Sequence, residues 1–310
     1  MSEVTEVRAP RGSMVPSAEV RSYHGRPILQ APPWTWEVPV YFFVGGLAGM
    51  SAALAEAAER NGVDSLATAA RRVAALGALA TPPLLIADLG VPSRFLNMLR
   101  VVKPTSPLSV GSWILSVFAP AAVGAAGLAE LGRAPRLRRL AQRVGAVFGF
   151  GMSGYTAVLV ANTAIPVWHE ARHELPFVFS GSAAASAGAA AMLLAPAEAH
   201  GPARRFALAG GLLELGAERV MEQRLGELAE PYHEGDAGGW ARLARRFTGA
   251  GAALVALGGG RRVLLRRAGA VCLLAGSFCT RWAVYRAGFQ GAADPEPLIR
   301  TQRARLAPRP

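Results

Sequence analysis

Six stretches of this chain, 38–58, 73–90, 110–131, 144–165, 176–196 and 264–287, are apolar over close to the length a helix needs to cross a hydrocarbon core. That feature constrains the fold more than any other. In lipid a backbone group finds no water to bond, so a long apolar segment satisfies its own N–H and C=O groups as a helix. Two further stretches are weaker candidates. Residues 203–220 carry Glu214 and Glu218, and 247–260 is short and rich in Gly and Ala. With both counted, the expectation is an all-α integral membrane protein of about eight transmembrane helices. Composition agrees: 52% hydrophobic residues, 17% charged and a mean hydropathy of +0.27 are too apolar for an ordinary soluble domain.

Residues 1–37 hold Pro, Ser and Arg without the apolar core of a cleaved signal peptide, and read as an extramembrane arm. Residues 288–310, rich in Pro and Arg, read as an extramembrane tail. The formal net charge of +12 does not call for nucleic acid, because the Arg residues sit in short segments beside apolar helices. Those reached after helices one, three, five and seven carry fourteen basic residues, and those on the opposite side carry eight. By the positive-inside rule both termini are expected on the outer face of the cell membrane.

Small residues recur at four-residue spacing: Gly45 and Gly49, Gly145 and Gly149, Ser182 and Ser186. This spacing lets helix backbones approach closely in lipid, so a compact bundle is expected. The only two cysteines, Cys272 and Cys279, fall short of the four thiolates a cluster needs, so this chain is expected to hold no iron–sulfur cluster.

Ionisable groups in apolar helices are costly and are read first as functional candidates. Asp88 closes the second helix, where it could accept a proton or pair with Arg94. Glu214, Glu218 and Glu222 share one helical stripe, which could line a proton path, face solvent, or pair with Arg219 and Arg224; the weak apolarity of the segment favours the latter two. Glu56 and Glu130, near the ends of helices one and three, snorkel to the interface in the simplest reading and could otherwise join such a path. The five histidines, His24, His169, His173, His200 and His233, all fall in arms or loops by this count, so no haem is expected between helices. His169 and His173 have ligand-like spacing but no evident third ligand, so no metal site is assigned. Tyr155 lies deep in helix four, and Tyr41 lies near the start of helix one. A tyrosine hydroxyl in a dry pocket is the donor a quinone carbonyl needs.

Several motifs, taken in order, resemble those of the NrfD-type membrane subunits, whose familiar relative is the quinone-binding chain of polysulfide reductase. They are Trp34-Thr35-Trp36-Glu37 continuing through Tyr41 to Gly49, Asp88-Leu89-Gly90-Val91-Pro92-Ser93-Arg94-Phe95, the run from Pro104 to Trp113, Gly154-Tyr155-Thr156, and Pro166-Val167-Trp168. The tail from Ala287-Gly288 to Asp294-Pro295, with Gln302-Arg303, resembles actinobacterial-type members. The resemblance implies two four-helix bundles, 38–165 and 166–287, with the quinone site in the first. It implies no haem and, by family habit, menaquinone as the quinone. It also implies two partners, a ferredoxin-like four-cluster iron–sulfur subunit and a molybdenum- or tungsten-containing catalytic subunit, so this chain would not hold the catalytic centre. Tyr155 matches the tyrosine that bonds the quinone, with Arg94 and Trp168 beside the site, and Asp88 matches the acidic residue of helix two. Where the relative has a histidine in helix one this chain has Tyr41, with Glu37 one turn earlier to relay a proton. Two rival classes remain: a polytopic transporter, and a passive anchor. Pro82-Pro83 is expected to break helix two with no matching break in helix six, which argues against the transporter.

Overall fold

The computed structural model describes residues 5–7, 18–20, 29–89, 91, 93–258 and 262–294. Eight helices of 20 to 31 residues make up its body: α1 (Glu37–Arg60), α2 (Asp64–Asp88), α4 (Pro107–Glu130), α5 (Pro135–Ala161), α7 (Leu175–Leu194), α8 (His200–Leu225), α9 (Gly235–Leu257) and α10 (Val263–Ala293). Two short helices, α3 (Arg94–Leu99) and α6 (Pro166–His169), lie in the connections. Within the arm, β1 (Thr5–Val7) and β2 (Ala18–Val20) pair antiparallel. Residues 1–4, 8–17 and 21–28 of the arm, His24 included, and the tail motif from Pro295 to Arg303 lie outside the described residues, as do Gly90 and Pro92.

Among the described helices, α1, α4, α5, α7 and α10 are long and apolar enough to span a membrane. The chain is a multi-pass membrane protein whose body is helical. The apolar part of α2 is bracketed by Arg71-Arg72 and Asp88, and α8 and α9 carry charges along one face, so these three fall outside the five. The outer surface displays Leu76, Val147, Phe150, Leu212 and Leu264, an apolar coat suited to lipid tails.

In the first half, α1 packs on α2 and α5, and α4 closes the ring against the same two helices. In the second half α7 packs on α8, α9 on α10, and α10 returns to α7. Helix α7 joins the halves by touching α1 and α5, and its buried residues from Gly181 to Ala191 are all Ala, Gly and Ser. The small-residue expectation is met most closely where α1 crosses α5. A Cβ on Gly49 would lie 2.2 Å from the Gly149 carbonyl oxygen, so only glycine at both positions permits this backbone contact.

Four expectations need correction. Helix α2 runs unbroken through Pro82 and Pro83; the missing N–H groups affect only its last turns. Residues 247–257 of the weak stretch form the second half of α9, which begins at Gly235 with a polar, amphipathic half that hydropathy alone passes over. His200 is not in a loop: it opens α8 and is buried, with Nε2 3.0 Å from the Ala195 carbonyl oxygen. Many of the basic residues counted as loop residues likewise sit within helices, Arg71 and Arg72 in α2 and Arg138 in α5 among them.

Candidate functional site

Helices α1 and α10 begin and end beside each other, where the Tyr285 hydroxyl donates to the Trp34 carbonyl at 2.7 Å. At this end of the molecule, α1 and α5 bring Tyr41 and Tyr155 together. Both rings are buried, and their hydroxyl oxygens are 2.9 Å apart. One hydroxyl must donate to the other, so the pair keeps one hydrogen for a third partner. Helix α4 makes room for this arrangement through Gly111, which lies flat against the Tyr155 ring. Leu115, Phe118 and Met152 complete the apolar surroundings.

Tyr155 also forms part of the wall of a cavity of about 680 Å³, open at the surface, between α5, α7 and α8. The wall is apolar: Met50, Phe150, Val158, Phe177, Phe206 and Leu213 line it, with Ser180 among its few polar groups. Its size is that of pockets for drug-sized ligands.

One turn before Tyr41, Glu37 accepts a hydrogen bond from the Thr35 hydroxyl. The Thr35 backbone N–H points to Asp88 Oδ1 at 3.5 Å, so the two carboxyl groups meet across one threonine. Arg94 is exposed on α3, and no hydrogen bond or ion pair joins it to Asp88 among the described residues. Trp168 is fully buried; its ring stacks on Trp34 at 5.5 Å and its Nε1–H is spent on the Val284 carbonyl at 2.7 Å. Beside it, Arg224 binds Glu174 through two hydrogen bonds of 2.5 and 2.6 Å, and this guanidinium holds the Glu174 carboxyl below the ordinary carboxylate range.

The four remaining acidic candidates divide between places. Glu56 pairs with Arg60, and Glu130 with Arg72, at the far end of the first ring from the tyrosines. Glu214 is buried and accepts from the Thr280 hydroxyl at 2.6 Å, while Glu218 lies one turn along α8. Among the described residues neither Arg219 nor Arg224 pairs with this stripe: Glu222 takes Arg245, and Arg224 is taken by Glu174. The solvent-facing reading therefore fails for Glu214.

Sequence reasoning passed over Arg281, a fully buried cation in α10. It lies over the Phe179 ring at 3.8 Å and donates to the Phe179 carbonyl at 2.6 Å. Phe179 in turn packs on Phe42, the neighbour of Tyr41, so the cation stands behind the tyrosine pair. A charge well inside the apolar stretch 264–287, whose other arginines, Arg266, Arg267 and Arg286, lie near its ends, was the available signal.

Residues 27–225, from before α1 to the last residue of α8, match the family model described as Polysulphide reductase, NrfD. The chain belongs to the NrfD family. As an NrfD protein it is a membrane subunit of a respiratory oxidoreductase complex. The match covers the whole first ring, Asp88 and both tyrosines included. No curated protein gives a match.

Proposed function

We propose that this NrfD subunit binds a membrane quinone at the Tyr41–Tyr155 pair and exchanges electrons between it and a partner iron–sulfur subunit. The observation that carries this reading is the double position of Tyr155, which shares a buried hydrogen bond with Tyr41 and forms a wall of the apolar cavity. The residues fit such a ligand. The pair offers one free hydroxyl hydrogen to a carbonyl oxygen, and the cavity offers an apolar surface to an isoprenoid chain. Quinone, with menaquinone the family's usual choice, supplies the electron- and proton-accepting ring.

This chain's own residues bind, orient and supply protons. The Tyr155 ring is held by Gly111, and the Tyr41 hydroxyl is held by Tyr155. Trp168, its N–H already committed, fixes Trp34 and the entrance to α1. Glu37 lies about 6 Å along the helix axis from Tyr41, and with Asp88 it forms the carboxyl pair best placed to pass a proton toward the hydroxyls. Electrons come from outside, because Cys272 and Cys279 are too few for a cluster. The partners we propose are a ferredoxin-like four-cluster subunit and a molybdenum- or tungsten-containing catalytic subunit, with both termini of this chain on the outer face.

A photoreactive menaquinone analogue bearing its label at the head of the chain tests this reading. In the full chain reconstituted in lipid it should label α5 and α7 around Tyr155 and Phe177, and excess menaquinone should compete. Labelling confined to other helices would overturn the assignment.

A further inference from the structure

The middle of the second ring contains more unpaired polar atoms than a packed interior tolerates. Glu214 of α8 is 1% exposed; one carboxyl oxygen accepts from Thr280, while Oε2 has no partner. Ser182 of α7 and Thr248 of α9 face the same carboxyl, and the Thr248 hydroxyl makes no hydrogen bond. Arg281 of α10 interacts electrostatically with Glu214, yet its Nε and Nη1 are unbonded. Dry, each of these atoms would be costly, and together they offer an internal water the several partners it needs.

A route leads from this cluster to one end of the molecule. Glu218 and Glu222 follow Glu214 on the same stripe at steps of about 6 Å. Glu218 lies within electrostatic reach of Glu214, Arg245, Glu222 and Arg281. The buried Tyr232 hydroxyl, also unpartnered, faces Glu218 and Glu222. At the end of α8, Glu222 binds Arg245 at 2.5 Å and lies 3.8 Å from the half-exposed His233. Bridging water spans steps of this kind.

We propose that Glu214 is a proton-carrying site, hydrated together with Arg281, that exchanges its proton with water at the Glu222–His233 end of α8 by way of Glu218. The proton adds to the unpartnered Oε2 and leaves by the same path. Arg281 stays charged throughout as the fixed counter-ion, and no electron moves. A purely structural Glu214 would need only its bond to Thr280, which leaves the free donors of Arg281 and the acidic stripe without a purpose. None of its residues is among those proposed to bind quinone, so its test needs no quinone.

The test is infrared spectroscopy of the full chain in lipid nanodiscs, across a pH series from neutral to acid, with a switch from H2O to D2O. The wild type should show the C=O band of a buried carboxylic acid that shifts in D2O, and Glu214→Gln should lack it. Glu218→Leu should keep the band but slow its exchange by about tenfold or more, as a modest added barrier does. Thr280→Val should raise the band's frequency by removing a hydrogen bond, which identifies the carboxyl even if Glu214→Gln assembles poorly. The proposal is overturned if no band across the series responds to these changes, or if Glu218→Leu leaves the exchange rate unaltered.

Discussion

Gly111→Ala joins a helix position on α4 to the chemistry on α5. The added methyl would lie 1.9 Å from Tyr155 Cε2, 2.1 Å from Cζ and 2.5 Å from the hydroxyl oxygen. Moving the ring from 1.9 Å to an ordinary 3.4 Å contact is a shift of 1.5 Å, in a site where the Tyr41–Tyr155 bond is only 2.9 Å long. The overpacking costs on the order of 1–3 kcal/mol, and losing the buried bond adds about 0.5–1.5 kcal/mol. Alanine returns roughly 0.5–1 kcal/mol in helix preference, so the net effect is destabilising. Gly127→Ala, on the same helix with nothing within 4 Å, is the control and should be neutral or stabilising. Thermal unfolding in detergent reads the stability, and binding of a fluorescence-quenching quinone reads the site. Quinone affinity should fall about tenfold or more with Gly111→Ala and remain unchanged with Gly127→Ala. If the two variants unfold alike and bind quinone alike, the account of how Tyr155 is held is wrong.

Gly149→Ala would place a methyl 2.5 Å from the Gly49 carbonyl oxygen and force α1 from α5; a loss of about 1–3 kcal/mol is expected in the same unfolding assay. Trp168→Phe should remove the second hydrogen bond on the Val284 carbonyl, which keeps its helical one, and cost on the order of 0.5–1.5 kcal/mol, seen as a lower midpoint of unfolding. Glu174 has a folded pKa depressed by Arg224, so its stabilising contribution is complete above the unfolded value of about 4.3 and is lost as pH falls through the lower folded value. The stability gap between wild type and Glu174→Gln should therefore narrow as pH is lowered through the acid range, checked by unfolding at a series of pH values.

The apolar stretches made the helices legible because lipid leaves the backbone one economical choice. The weaker elements show the limit. The first half of α9, Gly235 to Arg246, is amphipathic rather than apolar, and only its packing on α10 makes it a long helix. The Pro82-Pro83 pair looked like a break, but it falls near the end of α2, where few helical bonds remain to lose. Tyr155 was legible as a deep tyrosine, whereas its partnership with Tyr41 depends on how α5 crosses α1, and the spacing of Gly49 and Gly149 hints at that crossing without fixing the register. Asp88 and Arg94 looked like a local pair, yet Asp88 instead meets Thr35, fifty-three residues away in sequence. Arg281 was visible as a charge in an apolar run, but its proximity to Glu214 arises only when α8 and α10 pack in the second ring.

The central claim is that the Tyr155 hydroxyl helps hold a quinone head group, and Tyr155→Phe removes that oxygen while keeping the ring that packs on Gly111. The decisive measurement is the dissociation constant of menaquinone for the full chain in nanodiscs, wild type against Tyr155→Phe, with thermal unfolding recorded on the same samples. The expected result is a fold that persists and an affinity weakened by about threefold to tenfold, the worth of one neutral hydrogen bond. An intact fold that binds menaquinone as tightly as the wild type would contradict the claim.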